Sequence, residues 1–156
     1  MMNSILMICF IILLVLISWR DFKTQEIPNG YVLAVAFLGV AAMLFTNNVT
    51  LAERLLGGIC ISVPLILINL LRPNAFGGGD IKLMAAAGFY LGWQLTLFSF
   101  FIAVLTAGVY AIWLLLTKKK AANAHFAFGP FLCFGMLLAV VAGFPLMEWY
   151  FGLYLI

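Results

Sequence analysis

Two aspartates are the residues best suited to chemistry in this otherwise apolar chain. Only five of its 156 residues are acidic. Asp80 directly follows three glycines, and Asp21 lies at the end of the first apolar run. Two carboxylates within hydrogen-bond reach cannot both ionise cheaply, so they share one proton. The ionised carboxylate can then act as a base toward water, and the protonated one as an acid toward a carbonyl oxygen. The pair therefore predicts hydrolysis of the aspartic-protease type, with no metal and no cofactor.

The glycines Gly77, Gly78 and Gly79 suggest that another backbone comes close to this segment, because they have no Cβ atom. An extended substrate could lie against them as a strand adds to the edge of a sheet. The alternative is a flexible hinge between two spans. For the aspartates, the alternative is that both are loop carboxylates in water, with Asp80 as a helix N-cap and Asp21 paired with Arg20 or Lys23.

The composition indicates a membrane protein. Hydrophobic residues make up 67% of the chain and charged residues 8%, against about 25% charged residues in soluble domains. Backbone exposed to lipid must satisfy its own hydrogen bonds, which favours helices. The length allows about five to seven spans of roughly 20 residues each. We therefore expect one membrane-embedded domain over residues 1–156 and no separate soluble domain.

The apolar runs predict an all-α, polytopic bundle of about six transmembrane helices. We place spans at residues 5–19, 31–45, 55–71, 81–91, 95–116 and 126–143, of which the fourth is short. No positive charge precedes the first run, so we interpret it as a retained span and not as a signal peptide. The aromatic tail after residue 143 is expected to lie in the membrane interface or to enter the membrane partly.

The basic residues predict the orientation of the bundle. With the N-terminus outside, seven of the eight basic residues lie on the cytoplasmic side, and Arg54 alone lies on the other. The seven are Arg20, Lys23, Arg72, Lys82, Lys118, Lys119 and Lys120. This distribution of basic residues is typical of a protein that is oriented in a lipid bilayer, and not of one that binds nucleic acid. It places Asp21 and Asp80 at the same, cytoplasmic, face.

Three further motifs are expected to support the aspartates. The tripeptide Ile27-Pro28-Asn29 is typical of a turn that starts a helix, with Pro in the first turn and Asn as cap, and it would hold Asp21 at a fixed height. Gly129-Pro130 is expected inside the last span, where a kink could line the cavity of the site. Lys82 would either stabilise an ionised Asp80 or extend to the lipid headgroups.

Three segments together resemble the type IV prepilin peptidases, a family of membrane aspartyl proteases. "GGGD" at residues 77–80 matches the GxGD motif, and "IKLMAAAG" is similar to the sequence that follows it in that family. "DFKTQEIPN" at 21–29 resembles the first family motif, and "FAFGPFL" at 126–132 resembles a late-span motif. The resemblance covers residues 5–143, nearly the whole chain.

The resemblance implies that Asp21 and Asp80 are the catalytic pair. It also implies cleavage of the leader from prepilins or pseudopilins at the cytoplasmic face of the inner membrane, beside the pilus-assembly machinery. Longer family members carry two CxxC pairs associated with N-methylation. The three cysteines here are isolated, so we expect neither methyltransferase activity nor a zinc site. The chain looks like the short, peptidase-only branch that accompanies Flp or tight-adherence pili.

Two other functions are compatible with the same residues. A small transporter could use the carboxylates for cation or proton passage, although no inverted repeat is visible. An intramembrane protease of the signal-peptide-peptidase kind shares GxGD but pairs it with a Tyr-Asp motif. This chain has Trp19-Arg20-Asp21 at that place.

Overall fold

The chain forms a bundle of helices in the computed structural model, which describes residues 4–46, 49–73, 75–117 and 127–154, with side chains up to residue 143. The helices are α1 (Ser4–Thr24), α2 (Asn29–Phe45), α3 (Leu51–Cys60), α4 (Ser62–Leu71), α5 (Gly78–Leu91), α6 (Trp93–Leu116) and α7 (Gly129–Tyr154). These ranges contain no strand, so the predicted all-α class is confirmed.

Within the described ranges, three helical stretches are long and apolar enough to cross a membrane. They are Ser4–Thr24, Leu51–Leu71 and Trp93–Leu116, and Asn29–Phe45 and Gly129–Gly143 are shorter apolar helices. Together with the composition, these helices make the chain an integral membrane protein. Helix α5 has 14 residues and is about 21 Å long, which is less than the thickness of a bilayer core of roughly 30 Å. The prediction of a short fourth helix is therefore confirmed.

Helices α3 and α4 together form the predicted third span, which starts earlier than expected. Thr50 and Glu53 form a capping box, in which the Thr50 N–H donates to Glu53 at 2.7 Å and the Glu53 N–H donates to Thr50 Oγ1 at 3.3 Å. This cap starts α3 at Leu51, four residues before the predicted position. Ile61 alone interrupts the two helices, so they form one stretch of 21 residues.

Gly92 separates α5 from α6, at the break that the sequence predicts. Its φ of +81° is a conformation that residues with a side chain rarely adopt. A Cβ on Gly92 would also lie 2.9 Å from Val49 Cγ1. The chain can therefore turn here only because the residue is glycine, and the turn leaves α5 as a separate short helix.

Helix α5 lies at the centre of the bundle, where it packs against α2 and α3. Its residues Leu83, Met84 and Ala87 have no exposed surface. The backbones of α3 and α5 touch at Gly57 and Gly88, where a Cβ on either residue would overlap the carbonyl oxygen of the other. This close packing fixes the position of α5 and of the aspartate in its first turn.

The start of α7 corrects one expectation. Gly129 is the first helical residue and Pro130 the second, so the pair lies at a helix start and does not kink the interior of a span. Pro is tolerated there because its missing N–H would have no partner within the helix. The tail continues α7 to Tyr154. Two predictions involve residues outside the described ranges. The predicted last span starts at Phe126, and the predicted orientation counts the three lysines 118–120.

Arg54 corrects a second expectation, because it lies inside the bundle and not in an exposed loop. Only 1% of its surface is exposed. Its NH1 group donates to the carbonyl oxygens of Phe89 and Tyr90, both at 3.2 Å, and NH2 donates to Thr46 Oγ1 at 3.4 Å. The side chain therefore caps the C-terminal end of α5.

Candidate active site

Asp21 lies in the last turn of α1 and is almost completely buried, with 4% of its surface exposed. Gln25 closes this turn, because its N–H donates to the Asp21 carbonyl at 2.8 Å and its φ is +53°. The carboxylate Oδ2 has no hydrogen-bond partner among the described residues. The Lys23 ammonium lies 4.5 Å from the Trp19 ring centre instead of pairing with Asp21. The solvated, ion-paired alternative for Asp21 is therefore wrong.

Asp80 lies in the first turn of α5 and is 8% exposed. The N-cap of α5 is Gly77, and the cap has no side-chain hydrogen bond, so the alternative of Asp80 as an N-cap is also wrong. Burial has the largest effect on the pKa of Asp80, followed by the negative charge of Asp21, and together they raise it to about 7. A hydrogen bond from the Gly77 backbone acts to lower this pKa. Asp80 therefore exchanges its proton near neutral pH.

Both aspartates line one cleft of about 240 Å³. The other lining residues come from the turn after α1 and from the start of α5: Gln25, Glu26, Ile27, Gly77, Gly78 and Gly79. The fold thus brings together two carboxylates that are 59 positions apart in the sequence. The negative charge of Asp21 raises the pKa of Asp80, so the protonation of one carboxyl group depends on the charge of the other.

The tripeptide Ile27-Pro28-Asn29 joins the two halves of this cleft. Pro28 is the N-cap of α2, and Asn29 is the first helical residue without capping it. Asn29 Oδ1 instead accepts a hydrogen bond from Lys82 Nζ at 3.1 Å. This bond ties the start of α5 to the start of α2, a role for Lys82 that differs from both predicted ones.

The three glycines serve different purposes. Gly78 and Gly79 are helical, so they form neither the predicted extended edge nor a flexible hinge. A Cβ on Gly79 would lie 2.9 Å from Ile27 Cβ, and one on Gly77 would lie 3.0 Å from Asp80 Oδ2, whereas Gly78 has nothing within 4 Å. The first N–H groups of a helix have no partner within it, so this segment presents backbone donors at the cleft.

Gly129 lets α7 approach the Asp21 carboxylate of α1 closely. A Cβ on Gly129 would lie 2.5 Å from Asp21 Oδ2 and 2.8 Å from Asp21 Cγ. The motif around Gly129-Pro130 therefore belongs to the site because of close contact with Asp21 and not because of a kink.

Asn69, which was not predicted from the sequence, holds the segment before the glycines. Its Nδ2 donates to the Phe76 carbonyl, and its Oδ1 accepts from the Phe76 N–H, both at 2.8 Å. The Phe76 ring lies 5.8 Å from the ring of Phe128, directly before Gly129. A polar residue near the end of an apolar span was the signal that could have identified Asn69.

Comparison with known proteins shows the family to which the chain is similar. Residues 8–112 match the model of the type IV leader peptidase family. The chain is 30% identical to a prepilin leader peptidase/N-methyltransferase of Bacillus subtilis (strain 168) over 143 residues, which are 92% of this chain and 58% of that protein. It is also 30% identical to proteins of the same name from Legionella pneumophila, over 90% of this chain and 50% of that protein, and from Escherichia coli (strain K12), over 83% and 58%.

The chain spans between half and three fifths of the length of these curated relatives. No solved structure gives a significant match. The family match covers well over half of the chain and includes both aspartates, their cleft and all of α5. The chain therefore belongs to the type IV leader peptidase family.

Proposed function

We propose that this protein is a membrane aspartyl endopeptidase that removes the leader from prepilins of the Flp type or from related pseudopilins. Cleavage takes place at the cytoplasmic face of the inner membrane, beside the pilus-assembly machinery. One observation carries the proposal: two buried carboxylates, Asp21 and Asp80, line one cleft in a chain of the leader peptidase family. The transporter alternative has no comparable support.

The two carboxylates divide the chemistry of peptide hydrolysis between them. Asp80 holds the proton, because its pKa of about 7 keeps a protonated fraction at neutral pH. Ionised Asp21 removes a proton from water, whose oxygen adds to the carbonyl carbon, while Asp80 donates its proton to the carbonyl oxygen. The intermediate then collapses as the C–N bond breaks. The proton that Asp21 accepted passes to the leaving nitrogen, and one hydroxyl of the intermediate returns a proton to Asp80 as the C=O bond re-forms.

The start of α5 supports this reaction electrostatically. The N–H groups of Gly78 and Gly79 lie in its first turn, where a helix favours negative charge. They are available to the substrate backbone and to the carbonyl oxygen, which carries partial negative charge until the proton of Asp80 reaches it. Lys82 and the tripeptide Ile27-Pro28-Asn29 hold this turn beside Asp21.

The proposal covers proteolysis alone, although the names of the relatives also include N-methylation. The chemistry of the two carboxylates requires neither metal nor cofactor, so a chelator is expected to leave the cleavage rate unchanged. A rate that falls with chelator and returns with zinc would contradict this mechanism.

The proposed function is tested by co-expressing the chain with a Flp-type prepilin and measuring the mass of the pilin N-terminus. We expect a pilin that lacks its leader and carries an unmethylated amine. The control is Asp80→Asn, quantified in the same membranes. An uncleaved prepilin beside a correctly inserted wild-type chain would contradict the proposal.

A further inference from the structure

Residues 75–77 connect α4 to α5 without helical structure, so their backbone groups need partners from elsewhere in the bundle. The side chain of Asn69, in the last turn of α4, provides partners for both backbone groups of Phe76. Its amide nitrogen donates to the Phe76 carbonyl and its amide oxygen accepts from the Phe76 N–H, both at 2.8 Å. One side chain therefore fixes the backbone of this segment.

Asn69 is a polar residue at the end of an apolar helix. Its sequence neighbours Ile68, Leu70 and Leu71 are apolar and exposed. An amide in such a position is costly unless its groups are bonded, and the pairing with Phe76 removes that cost. A leucine would suit α4 itself equally well, so the amide serves the segment that follows the helix.

The segment that Asn69 holds leads directly to Asp80. Gly77 follows Phe76, and a Cβ on Gly77 would lie 3.0 Å from Asp80 Oδ2, so the carboxyl group folds back over the Gly77 backbone. A hydrogen bond from this backbone stabilises the ionised form of Asp80. The residue that Asn69 fixes is therefore adjacent in the chain to the residue whose backbone bonds the Asp80 carboxylate.

The same segment also leads to Asp21, through a pair of aromatic rings. The ring centre of Phe76 lies 5.8 Å from that of Phe128, which is within the usual range for aromatic pairs. Phe128 directly precedes Gly129, and a Cβ on Gly129 would lie 2.5 Å from Asp21 Oδ2. Each aspartate thus packs against a glycine that follows a phenylalanine, and the two phenylalanine rings pair with each other.

We propose that Asn69 is a positioning residue for leader cleavage. By holding both backbone groups of Phe76, it keeps Gly77 beside the carboxyl group of Asp80 and the start of α7 beside Asp21. This inference rests on the proposed function, in which both carboxylates must reach one substrate carbonyl and one water. Asn69 acts through Phe76 and takes no part in the proton transfers.

Asn69→Leu tests this role, because it keeps a side chain of similar size and removes both hydrogen bonds. In the reconstituted protein with a Flp-type prepilin, kcat/KM should fall on the alkaline side where Asp80 loses its proton. Without the Gly77 hydrogen bond, the ionised form of Asp80 is less stable, so this alkaline side should move up by about one pH unit. The highest rate per folded molecule should decrease about tenfold. A residue that only stabilised the fold would lower the melting temperature and leave the pH profile in place.

Ser62→Ala is the matched control. Ser62 also lies on α4 and donates to the Ile81 carbonyl of α5 at 3.3 Å, so this variant removes a hydrogen bond between the two helices without freeing Phe76. It should leave the alkaline side in place. Four ionisable groups near Asp80 are unchanged in both variants and come from α1, the turn after it, α5 and α7: Asp21, Glu26, Lys82 and Cys133.

Two further measurements keep the proposal testable whatever Asn69→Leu does to folding or the chain does to prepilins. Asn69→Ser, whose side chain is too short to bond both groups of Phe76, should show the same shift if the leucine variant does not fold. The melting temperature needs no substrate. Because a raised pKa contributes stability that is lost as the pH rises through it, the decrease in melting temperature should extend about one pH unit higher in the Asn69 variants.

The outcomes separate this inference from the proposed function. An alkaline side that stays near pH 7 in the folded Asn69 variants, or an equal shift in Ser62→Ala, would overturn the positioning role and leave the peptidase function intact. A wild-type chain that cleaves no prepilin would overturn the proposed function, and the positioning role in cleavage with it. The melting profiles would then still show whether Asn69 holds Gly77 beside Asp80.

Discussion

Charged groups are buried at both ends of α5, but the two ends differ in how many hydrogen-bond partners these groups have. At the C-terminal end, Arg54 donates to two carbonyl oxygens of the last turn and to Thr46, and only its Nε lacks a partner among the described residues. A cation is also favourable at that end of a helix. At the N-terminal end, Asp80 lies beside a second carboxylate whose Oδ2 has no partner in the described part of the chain.

This difference distinguishes a charged group that stabilises the fold from the charged groups that we propose take part in the reaction. Arg54 is surrounded by acceptors that match its donors, so its burial stabilises the fold. Asp21 and Asp80 repel each other, and they are held together by the packing of α5, α2 and α7. Such unfavourable arrangements persist at functional sites because the rest of the structure enforces them.

The largest expected effect comes from the aspartate end. Asp21→Asn and Asp80→Asn should each slow leader cleavage by about 10²–10⁴-fold, because each removes a group that transfers a proton. Asp80→Asn should not lower the melting temperature of the purified protein, because it also removes a repulsion. Glu26→Gln is the control, since Glu26 lines the same cleft but is exposed. Near-normal cleavage by either Asn variant would remove that aspartate from the mechanism.

The arginine end should show the opposite pattern. Arg54→Ala is expected to destabilise the fold by about 3 kcal/mol, through lost packing and unpaired carbonyl groups, while folded molecules keep their activity. Thermal unfolding in detergent and activity per folded molecule measure the two effects. Arg72→Ala, at an exposed arginine, should change neither. If Arg54→Ala left stability unchanged, the structural role of this charge would be wrong.

The effect of replacing a glycine on the cleavage rate should depend on how closely that glycine packs against a carboxylate. Gly129→Ala is expected to slow cleavage by about tenfold to 100-fold, because its Cβ would displace Asp21. Gly78→Ala has open space and should keep the wild-type rate. A processing assay with quantified membrane levels compares them. Equal rates for the two variants would show that Asp21 does not depend on the contact with Gly129.

Stability should depend on pH through Asp80. Its pKa is raised from 3.8 to about 7 on folding, so the folded state binds more protons than the unfolded state between these values. The free energy of unfolding should therefore decrease as the pH rises from about 4 to about 7. Melting temperatures across this range should show a smaller decrease for Asp80→Asn than for the wild type. An identical pH dependence in both proteins would contradict the raised pKa.

The smallest effect is expected at Gln25, where the backbone of the cleft is strained. Its φ of +53° favours glycine, so Gln25→Gly should stabilise the protein by about 0.5–1 kcal/mol. Gln25→Val, which places a β-branched side chain in this conformation, should destabilise it. Thermal unfolding of the two variants measures both changes, and the same shift in both would argue against strain at this turn.

The helical class, the short helix and the break at Gly92 could be predicted from the sequence. They depend on apolar run length and on a glycine that interrupts it, which are local properties. The pairing of Asp21 with Asp80 was predicted from residue type and resemblance, and the structure places both in one cleft. The start of α5 was placed three residues late, because Gly78 and Gly79, which have a low intrinsic helix propensity, form its first turn.

The other features of the bundle and of the site depend on contacts between distant segments. The hydrogen bond from Lys82 to Asn29 joins residues 53 positions apart, and the one from Arg54 to Tyr90 joins residues 36 positions apart. Neither pair has a local sequence signal. The position of Pro130 at a helix start was also missed, because the apolar run continues across it and gives no sign of a boundary.

The pH dependence of leader cleavage tests the acid–base pair most directly. The purified protein is reconstituted with a Flp-type prepilin, and kcat/KM is measured between pH 4 and pH 9. We predict a bell-shaped profile whose alkaline side falls through about 7, where Asp80 loses its proton, and Glu26→Gln should leave this side in place. A rate that stays constant from neutral pH to pH 9, with the protein still folded, would contradict the assignment of Asp80 as the proton donor.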